Sequence, residues 1–418
     1  MRHLYSLVFT LLLPLILLRL YLRSRKSPAY RERLRERFGF GARIKTPVIW
    51  VHAVSVGEVQ AAKLLIARLQ KKFPEHTLVV TTMTPTGAER VADIKGRVQH
   101  RYVPYDTPGC LKRFLSRIQP SMLIIMETEI WPNMLHYCHR QQIPSMLVNA
   151  RMSERSARGY ARVSALTTPA LNNFTVIAAQ GEVDKERLIA LGADPRKVQV
   201  TGSLKFDFTA PDEIEKHAKR LREQWGVERK IWIAASTHKG EDEQVLDTFK
   251  QLQNQLPEAM LVLVPRHPER FNEVAALCQE RGFSLVRRSE QRGCQADTAI
   301  FLGDSMGELM LFFAASDIAF VGGSLVATGG HNLLEPASLG IPVLTGPHMF
   351  NFTEIHRLLR QAEASIEVGD SHQLAKELLR LFNDQALCRV MGERGKRLVA
   401  QNRGALDRVV ALLEKRVV

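Results

Sequence analysis

Beyond Thr46 the chain alternates short β-branched, aliphatic runs with amphipathic stretches of helical period. In the first half Val48–Ala53, Leu78–Thr82, Val98–Pro104, Met122–Met126, Ser145–Asn149, Thr175–Ala179 and Val198–Gly202 read as strands. A second set follows at Ile231–Ala235, Leu261–Pro265, Ser284–Val286, Thr298–Leu302, Ile318–Val321, Pro342–Leu344 and Ser365–Glu367. Continuous apolar runs separated by helical patterns predict parallel strands covered by helices on both faces. The polar, helical stretch 210–230 carries no strand signal and reads as an inter-domain connection, and the tail after Ser371 reads as helical throughout. The expected fold is therefore α/β, with two doubly wound, Rossmann-like domains at 46–209 and 231–418. Two such sheets facing each other would form a cleft from the carboxyl ends of both strand sets.

A different pattern precedes Thr46. Leu4 to Leu22 is apolar apart from Ser6, Thr10 and Arg19, and no small-residue cleavage site follows it. Nineteen helical residues reach ~28 Å, close to the hydrocarbon thickness of a bilayer. Residues 1–45 thus read as an uncleaved membrane anchor with a basic collar, either a single span or a shallow monotopic helix. Between Arg19 and Lys45 lie ten Lys/Arg and two Glu, over half of the chain's formal excess of +15. Such a collar suits anionic cytoplasmic lipid and keeps the rest of the chain in the cytoplasm. No aromatic-interleaved pattern or recognition helix accompanies it, so nucleic acid is not the expected partner.

At 418 residues the chain exceeds one compact core, and 45% hydrophobic with 24% charged residues is a globular composition. Five scattered cysteines without a CxxC pair argue against a disulfide framework or a zinc site.

Candidate chemistry clusters after the strands. Gly322-Gly323-Ser324 follows Ile318–Val321, and Gly329-Gly330 leads toward a helix expected near His331-Asn332. Strand, glycine-rich turn and helix together aim bare N–H groups at an anion, usually a phosphate. Asn332 and Glu335 either bind a nucleotide's hydroxyls or form a capping box, Asn332 as N-cap and Glu335 as N3. Ser55-Val56-Gly57-Glu58 and Ser305-Met306-Gly307-Glu308 share the S-x-x-E syntax of a cap, which does not prevent either acid from facing a cleft. Glu127 and Glu129 follow Met122–Met126 closely and share one side of an extended backbone, where their mutual repulsion calls for a function. Lys205, Arg266, His267 and Ser236 also stand at strand ends, giving a set suited to a phosphate leaving group. No GxSxG elbow and no Walker A motif occurs, so a nucleotide would be a donor's handle.

With HAVSVGE, TTMTPTG, METEIWPN, NARMSERS, GSLKFD, ASTHKGE, LVPRHPERF, GDSMGEL and FVGGSLVATGGHNLLEPASLGIPVLTGPH in this order, behind RKSPAYRERLRERFGF, the chain resembles the 3-deoxy-D-manno-octulosonic acid (Kdo) transferases of Gram-negative lipopolysaccharide biosynthesis over nearly its whole length. The resemblance implies a two-domain GT-B glycosyltransferase at the cytoplasmic face of the inner membrane. It implies inverting transfer of Kdo from CMP-Kdo to a lipid A precursor, lipid IVA, with no cofactor and no catalytic metal. By the same resemblance Glu58 is the general base, and Glu127 and Lys205 stabilise the transition state. Arg266, His267, Met306, Gly307, Glu308, Asn332, Leu333, Leu334 and Glu335 contact the CMP moiety, and His331 is peripheral. Ser236, Ser324 and Glu129 are additional candidates from the residues themselves. The helix-terminal place of Glu58 is expected to hold it ionised. Two alternatives differ in class: another GT-B enzyme, such as a UDP-sugar transferase or a nucleotide-sugar epimerase, against which HAVSVGE and METEIWPN speak, and a non-catalytic membrane-associated nucleic-acid binder suggested by charge alone.

Overall fold

The computed structural model describes residues 1–25, 27–208 and 213–416. It divides into two units, the first comprising Met1–Phe208 together with the chain from Asn402 onward, the second the intervening chain up to Gln401. In the first unit β1 (Val48–His52), β2 (Thr77–Thr82), β3 (Val98–Tyr102), β4 (Pro120–Met126), β5 (Ser145–Ala150), β6 (Val176–Ala179) and β7 (Val198–Val200) form one parallel sheet in the order β3-β2-β1-β4-β5-β6-β7. In the second unit β8 (Ile231–Thr237), β9 (Met260–Pro265), β10 (Leu285–Arg287), β11 (Ile300–Leu302), β12 (Ile318–Val321), β13 (Val343–Thr345) and β14 (Ser365–Glu367) run parallel in the order β10-β11-β9-β8-β12-β13-β14. Every strand expected from the sequence is present.

The all-apolar runs have a structural cause. Trp50 of β1 packs with Leu123, Ile125 and Phe114 on one face, while its neighbours Ile49 and Val51 pack with Leu65, Ile66 and Met126 on the other. Both faces of the sheet are therefore core, and strict polar alternation is lost. The second sheet repeats this, with Trp232 and Ala234 on one side and Ile231, Ile233 and Ala235 on the other.

Two expected boundaries need correction, while the 209/210 boundary itself lies outside the described residues. The stretch read as a connection contains a helix, Ile214–Trp225, that belongs to the second unit's core. Ile214, Ala218, Leu221 and Trp225 form an apolar stripe at helical spacing, and Trp225 meets Phe301 with ring centroids 4.9 Å apart. The surrounding polar residues outnumber this stripe, which is why composition suggested a linker. The tail is likewise not all part of the second domain. The final helix, Ala405–Glu414, sends Ala405, Val409, Val410 and Leu413 into the first unit's core beside Val59 and Leu65. The carboxylate of Asp207 caps it by accepting from Gly404 N and Leu406 N.

Candidate active site

In a doubly wound sheet, ligands collect at the carboxyl ends of the two strands where the order reverses. In the first unit these are β1 and β4, which Glu58 and Glu127 follow; in the second they are β8, which has Ser236 as its penultimate residue, and β12, which the Gly322-Gly323-Ser324 turn follows.

Ser55 caps the Val56–Lys72 helix: its hydroxyl accepts from Glu58 N at 3.4 Å, and the Glu58 carboxylate accepts from Ser55 Oγ at 3.0 Å and from Val54 N at 2.8 Å. The capping reading is thus correct and leaves chemistry open. Glu58 is buried, and the expectation that its helix position keeps it ionised meets an opposing effect. Burial pushes its carboxyl up to about 7, the charges of Glu129 and Glu127 push the same way, and the Val54 and Ser55 hydrogen bonds only partly oppose them. Desolvation outweighs a partial helix charge when few donors reach the carboxylate.

The backbone after β4 is not extended. Glu127 adopts φ 58 and its N–H donates to Val148 O at 2.9 Å, so the simple same-side argument for Glu127 and Glu129 fails. The acids still share an electrostatic neighbourhood with Glu58. Glu129 accepts from Trp131 Nε1 at 2.9 Å, and its carboxyl is raised, chiefly by burial and also by the Glu127 charge.

Lys205 lies in the one-turn helix Leu204–Phe206, whose start is tied to the sheet by Asn149, with Oδ1 accepting from Leu204 N at 3.1 Å. Asn149 is fully buried, adopts φ 57, and leaves its Nδ2 without a hydrogen-bond partner. Left-handed conformations at Glu127, Asn149 and Ser236, all at strand ends, are the kind of local strain that concentrates at functional sites.

In the second unit the predicted anion cradle already holds an anion. Gly323 N donates to Glu241 Oε2 at 2.6 Å, while Ser324 N and Leu325 N donate to Oε1 at 3.0 and 2.9 Å. Glu241 is fully buried, so this turn cannot seat a phosphate on those N–H groups. Ser324 is also no ligand. Its hydroxyl donates to Val321 O at 2.6 Å and accepts from Gly346 N at 2.8 Å, and none of it is exposed.

The helix after the second glycine pair begins at Leu334, with Leu333 as N-cap, and spans only Leu334–Ser338. Asn332 is therefore not its N-cap. Asn332 Oδ1 accepts from Leu334 N at 3.2 Å and its Nδ2 donates to Glu335 Oε1 at 3.0 Å. Leu333 and Leu334 are fully buried and offer a ligand only backbone. Burial raises the Glu335 carboxyl, opposed by Asn332 and by the charge of Arg266. Arg266 is exposed after β9, its N–H bonded to Thr237 O at 3.0 Å.

Beside these residues lies a histidine cluster that joins the expected CMP contact His267 to His331, which was expected to be peripheral, and to His238. His238 and His331 stack with centroids 5.1 Å apart and an Nε2–Nε2 separation of 2.8 Å, and His267 meets His238 edge-on at 5.3 Å. Burial, then the neighbouring cations, depress His331 to about 4, and His238 is lowered for the same reasons. With both rings neutral, one donates to the other.

Met306 and Gly307 are exposed, and Gly307 takes φ +87. Glu308 is the N-cap of the Leu309–Ala314 helix and not the N3 partner of a cap. Arg288 clasps its carboxylate, with Nη2 2.6 Å from Oε1 and Nε 3.0 Å from Oε2, and together with Ser305 they line a cavity of about 510 Å³. Among the described residues no group of three or more His, Cys, Asp or Glu is placed to hold a metal ion.

A family model described as "3-Deoxy-D-manno-octulosonic-acid transferase (kdotransferase)" matches residues 32–208, and "Glycosyl transferases group 1" matches residues 231–398. The 3-deoxy-D-manno-octulosonic acid transferase of Haemophilus influenzae is 43% identical over 418 residues, covering 99% of this chain and 98% of that protein. The chain belongs to the Kdo transferases. The Kdo transferase of Bordetella pertussis is 36% identical and covers 99% of both chains. Among solved structures, a Neisseria meningitidis UDP-GlcNAc 2-epimerase matches with a TM-score of 0.57 at 15% identity, covering 88% of this chain and 100% of its own. At that identity the likeness carries the fold alone, which is GT-B-like. The Kdo transferase is thus a GT-B-like glycosyltransferase. Glu241, Asn149, Arg288 and the His238–His331 pair are the residues that sequence reasoning missed. NARMSERS and ASTHKGE contain three of those positions, yet only tertiary pairing reveals their work.

Proposed function

We propose that this enzyme transfers Kdo from CMP-Kdo to a hydroxyl of lipid IVA with inversion, in lipopolysaccharide biosynthesis at the cytoplasmic face of the inner membrane. The observation that carries the reading is Glu58: a buried carboxyl raised to about 7 at the first sheet's switch point, next to two further acids. A base poised near the working pH is half ionised there and still basic enough to take a proton.

The acceptor hydroxyl gives its proton to Glu58 as its oxygen bonds the anomeric carbon. Positive charge develops on the sugar, and Glu127 is suited to answer it. CMP departs with negative charge, met by Lys205 and Arg266, so the reading requires no metal. Arg266 and His267, Met306 through Glu308, and Asn332 through Glu335 hold the CMP moiety. In this reading Glu335 and Glu308 accept hydrogen bonds from hydroxyls, and the reading is supported by the partner that holds each carboxylate, Asn332 or Arg288.

Purified enzyme incubated with CMP-Kdo and lipid IVA, with products weighed by mass spectrometry, should add Kdo and release CMP. CMP should raise the unfolding temperature and UDP should not. Glu58→Gln should abolish transfer while leaving CMP stabilisation intact. Near wild-type turnover in that variant would remove Glu58 from its role, and stabilisation by UDP alone would point to a UDP-sugar enzyme.

A further inference from the structure

We infer that the N-terminal helix lies in the plane of one leaflet, locked along its inner side to the first unit, and does not cross the bilayer. The helix Arg2–Ser24 is long and apolar enough to span, since 23 residues rise ~34 Å. Its first turns, however, are bonded to the folded unit. Arg2 Nη1 donates to Asn133 Oδ1 at 3.0 Å, Ser6 Oγ exchanges hydrogen bonds with the Asn133 amide at 2.9 and 3.1 Å, and Tyr5 OH donates to Asp106 Oδ2 at 3.0 Å. Asn133 and Asp106 are fully buried, and Phe9 packs toward Tyr105. The other end returns to the same unit. Arg31 lies over the Tyr21 ring at 4.3 Å and donates to Ser24 Oγ, just before the chain enters the fold. With both ends held by one folded body, neither can sit across a membrane from it.

The outer side states what it meets. Leu4, Leu7, Leu11, Leu15, Leu18 and Leu22 recur at helical spacing and are each at least half exposed. Beside them Arg19, Arg23, Arg25, Arg31 and Arg35 are exposed. The collar is thinner than its composition suggests, because Arg37 is buried beneath the Tyr102 ring and Arg33 pairs with Glu36. A leucine stripe edged with arginines fits an anionic lipid leaflet, apolar side down and guanidiniums at headgroup level. The lock also reaches the chemistry, because Asp106 accepts from Asn133 N and Met134 N and so caps the helix that follows the Glu127–Trp131 segment.

Sidedness and depth test this without any measure of sugar transfer. In sealed inside-out inner-membrane vesicles, His3→Cys and the exposed Val183→Cys of the full chain should take a membrane-impermeant maleimide to the same extent, resolved by peptide mass spectrometry. Labelling of His3→Cys only after permeabilisation would show a spanning helix and overturn the inference. In vesicles of phosphatidylethanolamine and phosphatidylglycerol, a fluorophore at Leu4→Cys, Leu11→Cys or Leu18→Cys should be quenched equally by shallow nitroxide lipids. Deep quenching confined to Leu11→Cys overturns it, as does Leu11→Cys cross-linking between copies without lipid quenching.

Discussion

Glu58→Gln should separate activity from stability in a pH-dependent way. A carboxyl raised from 4.5 to about 7 binds a proton in the folded state that the unfolded chain releases. Stability is then lost as pH rises from about 4.5 to about 7, and the whole loss is present above 7. At ~1.36 kcal/mol per pH unit the penalty approaches about 3 kcal/mol at pH 8, against about 1 kcal/mol at pH 5. Glutamine does not titrate, so the stability gap between variant and wild type should widen in the variant's favour by about 2 kcal/mol from pH 5 to pH 8. For a unit of this size that is about 4–8 °C in unfolding temperature. The amide's altered hydrogen bonds with Val54 N and Ser55 Oγ add an offset that is the same at every pH, so the slope is the readout. Calorimetry of both proteins at pH 5, 6, 7 and 8 measures it. A gap that stays flat across this range would refute the claim that burial holds Glu58 protonated, whatever the variant does to turnover.

Three further outcomes are expected. Wild-type kcat/KM should fall on the acid side with a midpoint near 7, because protonated Glu58 cannot accept the hydroxyl proton; a midpoint near 4.5 would mean that substrate-free burial does not describe the working base. Glu241→Ala should destabilise the second unit by about 3–5 kcal/mol in urea unfolding, since it strips a buried carboxylate from four N–H donors. Arg266→Ala should weaken CMP affinity in calorimetric titration as well as slow transfer, and an unchanged affinity would count against its place at the donor.

The strands were legible because doubly covered parallel strands leave short apolar runs rich in β-branched residues, bounded by amphipathic helical stretches. Cap syntax was legible at Ser55 and misleading at Ser305 and Asn332, because the helices begin later than the S-x-x-E and N-x-x-E spacing implies, with Glu308 and Leu333 as their N-caps. The occupant of the glycine turn was not legible, because Glu241 stands some eighty residues earlier and only the sheet brings it to Gly323. The same holds for the charge state of Glu58. Its helix position is written locally, whereas its desolvation depends on what the rest of the unit packs around it. The resemblance set His331 aside as peripheral, and its pairing with His238, 93 residues away in the chain, is visible only in the fold.

The final helix has a practical consequence for anyone dividing this molecule. Residues 213–401 form an unbroken stretch, so the rear half can be excised with two cuts. The front half is made of two pieces that the gene keeps far apart. A fragment stopping at Phe208 would present the bare seat of Val409 and Leu413 to water and invite clumping, while one in which Asp207 is stitched directly to Gly404 through a short loop would carry its own lid.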